Sequence, residues 1–65
     1  MPLIRVEHAT AQSVEDKRKL ISAMTDAYAS STGTDPAKVW VVLDEVPRTD
    51  WGTGGKTLSD RDAGA

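Results

Sequence analysis

Pro2, directly behind the initiator Met1, is the residue of this chain with the clearest chemical potential. An internal proline nitrogen is an amide without basicity, whereas removal of Met1 would turn it into a free secondary amine. Such an amine resembles an α-amino group, whose reference pKa is roughly 7.7–8.0. Desolvation or a nearby cation disfavours the ammonium form and pulls that value toward neutrality, where a general base works best. The other chemical signals are weaker. His8 is the only histidine and there is no cysteine, so a zinc site would need ligands from several subunits. It reads instead as a strand-end histidine making local hydrogen bonds, and no metal is expected. Asp44 and Glu45 are adjacent in an extended run, where neighbouring side chains point to opposite faces and cannot share an acid–base task. Gly54-Gly55-Lys56-Thr57 resembles the end of a phosphate-binding loop. Asp50, however, stands where that motif requires its first glycine, and too little chain follows for its helix.

The elements that must position Pro2 follow from hydrophobic periodicity. Leu3 to Ala9 alternate, with Ile4 and Val6 on one face and Arg5 and Glu7 on the other, which predicts a strand. Ser13 with Asp16 three residues on is an N-cap signature, so a helix is expected from Val14. Val14, Leu20, Ile21, Met24, Ala27 and Tyr28 form its apolar stripe, and it is expected to end near Ser31 or Thr32 with Gly33 as a left-handed cap. Asp35 can cap one helical turn beginning at Pro36. Val39 to Val46 is a β-favouring run closed by Pro47, apolar enough through Leu43 to predict burial on both faces. The glycine-rich segment Arg48 to Lys56 predicts a short hairpin, and Ser59 to Ala65 reads as a polar, frayed tail.

Strand, helix and strand make a βαβ unit with parallel strands and a right-handed crossover, an α/β fold in a single domain spanning residues 1–65. A chain of 65 residues buries only about 60% of the surface its unfolded form exposes, and small domains compensate with disulfides, metals or self-association. With no cysteine and one histidine, self-association is the expected route. Eight basic residues are scattered among ten acidic ones for a net charge of −2, which leaves no electrostatic footprint for nucleic acid. The one basic run, Lys17-Arg18-Lys19, lies beside Glu15 and Asp16 and reads as a solvated helix face. No apolar stretch approaches a membrane span and no signal-peptide core is visible, so a soluble, cytoplasmic protein is expected.

Pro2, the βαβ order and Trp51-Gly52-Thr53-Gly54-Gly55 following Asp44-Glu45-Val46-Pro47 together resemble the small 4-oxalocrotonate tautomerases, without gaps from Pro2 to about Leu58. The resemblance implies a homohexamer, usually a trimer of dimers, in which two subunits form a four-stranded sheet backed by helices. It also implies cofactor-independent proton transfer in a small enol or keto compound, with the terminal proline as carrier. Residue by residue, Pro2 matches the catalytic base, Trp51 the aromatic that makes the pocket apolar, and Ala9 and Val46 its walls. The two arginines that grip the dicarboxylate in the name-giving enzyme do not carry over, because Gln12 and Trp40 occupy their positions. Gln12 can donate an amide hydrogen bond and Trp40 an indole N–H, but neither supplies a charge. Relatives that hydrate or dehalogenate place a carboxylate where Thr53 stands, and the nearby Asp50 reads as a turn residue. Among Arg5, Arg48 and Arg61, Arg48 is the candidate substrate-binding cation, being nearest Trp51 in sequence. The expected function is therefore a tautomerase that is not an efficient 2-hydroxymuconate enzyme. The alternative is a family-fold oligomer with only promiscuous activity or a small-ligand binding role.

Overall fold

The computed structural model describes residues 1–64. β1 (Leu3–His8) leads into α1 (Val14–Thr32), a 3-10 turn (Pro36–Lys38) and β2 (Trp40–Glu45). A miniature hairpin, β3 (Gly52–Thr53) and β4 (Lys56–Thr57), precedes the short helix α2 (Leu58–Gly64). β1 and β2 pair in parallel, with Leu3 opposite Trp40 and His8 opposite Glu45.

Local chemistry sets the boundaries. The Ser13 hydroxyl accepts from the Asp16 amide at 3.1 Å, a cap whose loss typically costs about 1 kcal/mol. Gly33 closes α1 at φ 73°, with its N–H on the Ala29 carbonyl at 2.9 Å, a conformation that penalises any residue with a Cβ. The Asp35 carboxylate accepts from Ala37 N–H at 3.0 Å and starts the 3-10 turn. Gly54 and Gly55, at φ 61° and 85°, supply the two left-handed positions that a two-residue hairpin turn needs.

The parallel register puts Ile4, Val6 and His8 on one face with Val41, Leu43 and Glu45, and Leu3, Arg5 and Glu7 on the other with Trp40, Val42 and Asp44. Ile4, Val6 and His8 are half-buried while Leu3, Arg5 and Glu7 are exposed, so α1 covers the first face and leaves the second open. Val41 to Asp44 are half-buried rather than sealed, because only one face is layered in the protomer. The apolar stripe of α1 is likewise only partly used. Leu20, Met24 and Tyr28 are half-buried, whereas Val14 and Ile21 remain 63% and 40% exposed, since a sheet two strands wide cannot cover the whole stripe.

Leu58, 8% exposed, is the only buried apolar side chain among the described residues. The radius of gyration is 15.3 Å and the longest dimension 46 Å, against about 11 Å expected for a compact domain of this length.

The expectation of a frayed tail from Ser59 is corrected by α2. The Thr57 hydroxyl caps it through the Asp60 amide at 3.0 Å. The Leu58 amide donates to the Trp51 carbonyl at 2.8 Å and the Ser59 amide to the Arg48 carbonyl at 3.2 Å. Ala65, the last residue of that expected tail, lies outside the described residues.

Candidate active site

Pro2 is half-buried at the start of β1, where its carbonyl accepts from the Trp40 amide at 3.0 Å. Beside it the open sheet face presents Leu3 and Trp40, 55% and 57% exposed, and Met1 is 87% exposed. While Met1 is attached the Pro2 nitrogen is an amide. The surroundings of this end are apolar.

The other expected site residues gather at the opposite end of the sheet. The ladder finishes with the Val46 amide on the His8 carbonyl at 2.8 Å, which puts half-buried Ala9 and Val46 side by side in the chain exits of β1 and β2. Gln12 is exposed in the segment between β1 and α1. Trp51 is half-buried and is secured through its carbonyl to α2. From Pro2 to Ala9 the chain runs the whole of β1, about 23 Å at the rise of an extended strand. One protomer therefore separates the prospective base from Ala9, Gln12, Val46 and Trp51, and keeps only Trp40 with it. The described residues of the single chain enclose no cavity.

Arg48, the candidate substrate-binding cation, is engaged within the protomer. Its Nη1 donates to the Ala9 carbonyl at 3.1 Å, its Nε donates to Asp62 Oδ2 at 2.9 Å, and its Nη2 contacts the same oxygen. A guanidinium engaged along both edges has little capacity left for a further carboxylate. The Arg48 hydrogen bond holds the Asp62 carboxyl below its ordinary range; desolvation opposes this, and the charges of Arg48 and Arg61 reinforce it. Arg5 pairs with Asp44 at 3.2 Å and Arg61 with Asp62 at 3.4 Å. Asp62 is the partner that sequence reasoning missed. Nothing in a polar tail marks one carboxylate as the mate of an arginine fourteen residues earlier.

The remaining signals resolve locally. His8 Nδ1 lies 2.8 Å from the Thr10 carbonyl, so that nitrogen carries the proton in the neutral ring, and Nε2 is buried without a partner. Asp50 is a turn residue, its amide on the Pro47 carbonyl at 2.8 Å and its carboxylate accepting from the Thr49 hydroxyl at 3.1 Å. Thr53 lies exposed in β3. Among the described residues, no group of three or more His, Cys, Asp and Glu is placed to hold a metal, and no helix is long and apolar enough to cross a membrane.

Known proteins share this arrangement. The family model for the tautomerase enzymes matches residues 2–61. A probable tautomerase of Halalkalibacterium halodurans is 36% identical, covering 94% of this chain and all of its own length. The 2-hydroxymuconate tautomerase of Bacillus subtilis is 32% identical over 92% of this chain and 97% of its own. Among solved structures, TomN, a 4-oxalocrotonate tautomerase homologue in the tomaymycin biosynthetic pathway, superposes with a TM-score of 0.91 at 34% identity, covering 95% of both chains. A heterohexameric 4-oxalocrotonate tautomerase of Chloroflexus aurantiacus gives 0.85 at 32% identity over 92% of this chain and 97% of its own. The βαβ unit, the hairpin and these matches define a tautomerase-type isomerase, and the chain belongs to the 4-oxalocrotonate tautomerase family.

Proposed function

We propose that this enzyme moves a proton within a small enol or keto acid, using the Pro2 nitrogen as general base once Met1 is removed. The observation that carries the reading is the setting of Pro2, held at a strand start by the Trp40 amide and flanked by exposed Leu3 and Trp40. The freed amine takes the enol hydroxyl proton as the C–O bond becomes a carbonyl, then returns a proton to the neighbouring carbon. Apolar surroundings keep its pKa near neutrality by disfavouring the ammonium.

The site is completed by a second copy. Pairing about a two-fold axis runs the partner's strands antiparallel, so the Pro2 end of one sheet meets the Ala9, Gln12, Val46 and Trp51 end of the other in a four-stranded sheet backed by helices. Three such dimers form a homohexamer. The elongated protomer, its uncovered sheet face and the exposed Val14 and Ile21 support this assembly.

The substrate class is set by Gln12 and Trp40, which stand where the name-giving enzyme has cations. A keto or enol acid with one carboxylate and an apolar or aromatic body suits one amide donor and an indole wall. 2-Hydroxymuconate, a dicarboxylate, suits them poorly. Mass spectrometry should find the chain without Met1, and Pro2→Ala should lower kcat/KM on a phenylenolpyruvate-type substrate by about 10²–10³. Full activity in that variant would sink the assignment.

A second reading, an oligomer of this fold that binds a small apolar ligand with only promiscuous turnover, is favoured by the pairing of Arg5, Arg48 and Arg61 with carboxylates. It predicts no turnover across a panel of enol and keto acids, with saturable quenching of tryptophan fluorescence by an apolar ligand.

A further inference from the structure

Arg48 joins three parts of the chain that have no covalent reason to stay together. The backbone ladder between the two main strands ends at the Val46–His8 hydrogen bond, and the Arg48 side chain takes the next carbonyl of the chain, that of Ala9. The other edge of the guanidinium is held by Asp62 of α2, through Nε at 2.9 Å and through Nη2. The Arg48 backbone carbonyl accepts from Ser59 at the start of the same helix.

We infer that Arg48 is a positioning residue, which holds the segment carrying Ala9 and Gln12 against the loop carrying Val46 and Trp51, with Asp62 fixing the guanidinium's orientation. The inference rests on the reading that these four residues line the substrate pocket. The segment from Ala9 to Ser13 has neither helical nor strand pairing. Apart from Ser13, whose carbonyl accepts from Lys17 and whose hydroxyl accepts from Asp16 at the helix entry, it is tethered by His8 on the Thr10 carbonyl and by Arg48 on the Ala9 carbonyl. The guanidinium is planar and donates along two edges, so it can span a carbonyl and a carboxylate at fixed angles. A lysine ammonium at the same place reaches one partner or the other. The depressed ionisation of Asp62 accords with a carboxylate that stays charged to hold this geometry. Loosening the clamp moves one wall relative to the other, which weakens binding of substrate and transition state alike. That signature is a raised KM with kcat little changed.

The test uses the processed oligomer and three variants, Asp62→Asn, Arg48→Lys and Arg48→Met, with sizing to check assembly. KM should rise by about threefold for Asp62→Asn and about tenfold for Arg48→Met, Arg48→Lys falling between, while kcat stays within about twofold. Amide hydrogen exchange at Thr10 to Gln12 should quicken in the same order. The exchange measurement repeated in a Pro2→Ala background, where turnover plays no part, separates a failure of this inference from a failure of the base assignment. A fall in KM for Asp62→Asn would mean that Arg48 grips substrate and that Asp62 restrains it, overturning the positioning role. Unchanged exchange would overturn it, and so would faster exchange with unchanged KM, which leaves only a stabilising contact. Should Arg48→Met fail to assemble, Asp62→Asn decides alone, since it removes only the orienting charge.

Discussion

The two ends of the main sheet differ in how they are held. At the Pro2 end a single backbone hydrogen bond closes the ladder, and the neighbouring side chains, Leu3 and Trp40, are apolar and exposed. At the Ala9 end a side-chain clamp, a ladder bond and two bonds to α2 converge on a few residues. In the proposed function the first end supplies the base and the second the walls and a donor. The difference teaches what the proposed function demands of the fold: a site that uses both Pro2 and Trp51 requires opposite ends of two sheets to associate.

The comparison can be broken most decisively by mixing subunits. Pro2→Ala lacks the proposed base and Trp51→Ala the proposed wall, so each parent should be weakly active. Oligomers reassembled from equal parts should regain activity in about a quarter of their sites, the fraction that combines an intact Pro2 with an intact partner. Activity no higher than the mean of the parents would place base and wall in one chain. A smaller effect concerns the missing cations. Gln12→Arg with Trp40→Arg should raise kcat/KM on 2-hydroxymuconate by about tenfold or more, through charge-assisted pairing with the carboxylates. No gain would show that these positions do not face substrate.

The smallest effect belongs to the clamp's ionisation. The Asp62 carboxyl is depressed in the folded protein, chiefly by its hydrogen bond from Arg48. A depressed carboxylate contributes stability that is fully present above its unfolded pKa of about 3.9 and is lost as pH falls through the folded value. Thermal melts should therefore show a Tm advantage of wild type over Asp62→Asn near neutral pH that shrinks below about pH 4. An advantage independent of pH would show that the pair contributes nothing through its charge.

Much of the fold was legible because it is specified locally. Ser13, Gly33, Asp35 and the Gly54-Gly55 pair each act within four residues of themselves, and each stands where its chemistry predicts. The helix α2 was not legible. Its residues are small and polar without apolar period, and what fixes them comes from Trp51, Arg48 and the burial of Leu58. The exposure of Val14 and Ile21 was equally hidden, since an apolar stripe does not say how much of it one chain can cover. The separation of the site residues did have a signal in the sequence. Pro2 and Ala9 bound the same extended run, and a strand cannot bring its own ends together. The resemblance named the parts of a pocket without saying how many chains supply them.

The hydrogen bond from Trp40 to the Pro2 carbonyl bears on the proposed removal of Met1. Chain termini ordinarily fray, and a nucleus of reactivity placed on one would lose orientation with every excursion. Proline contributes no amide hydrogen to a ladder, so cutting the Met1–Pro2 bond removes no donor from the sheet, while the carbonyl that anchors the residue is untouched. Proteolysis there changes the electronic character of one nitrogen and leaves its scaffold as it was. The new terminus inherits the order of an internal residue.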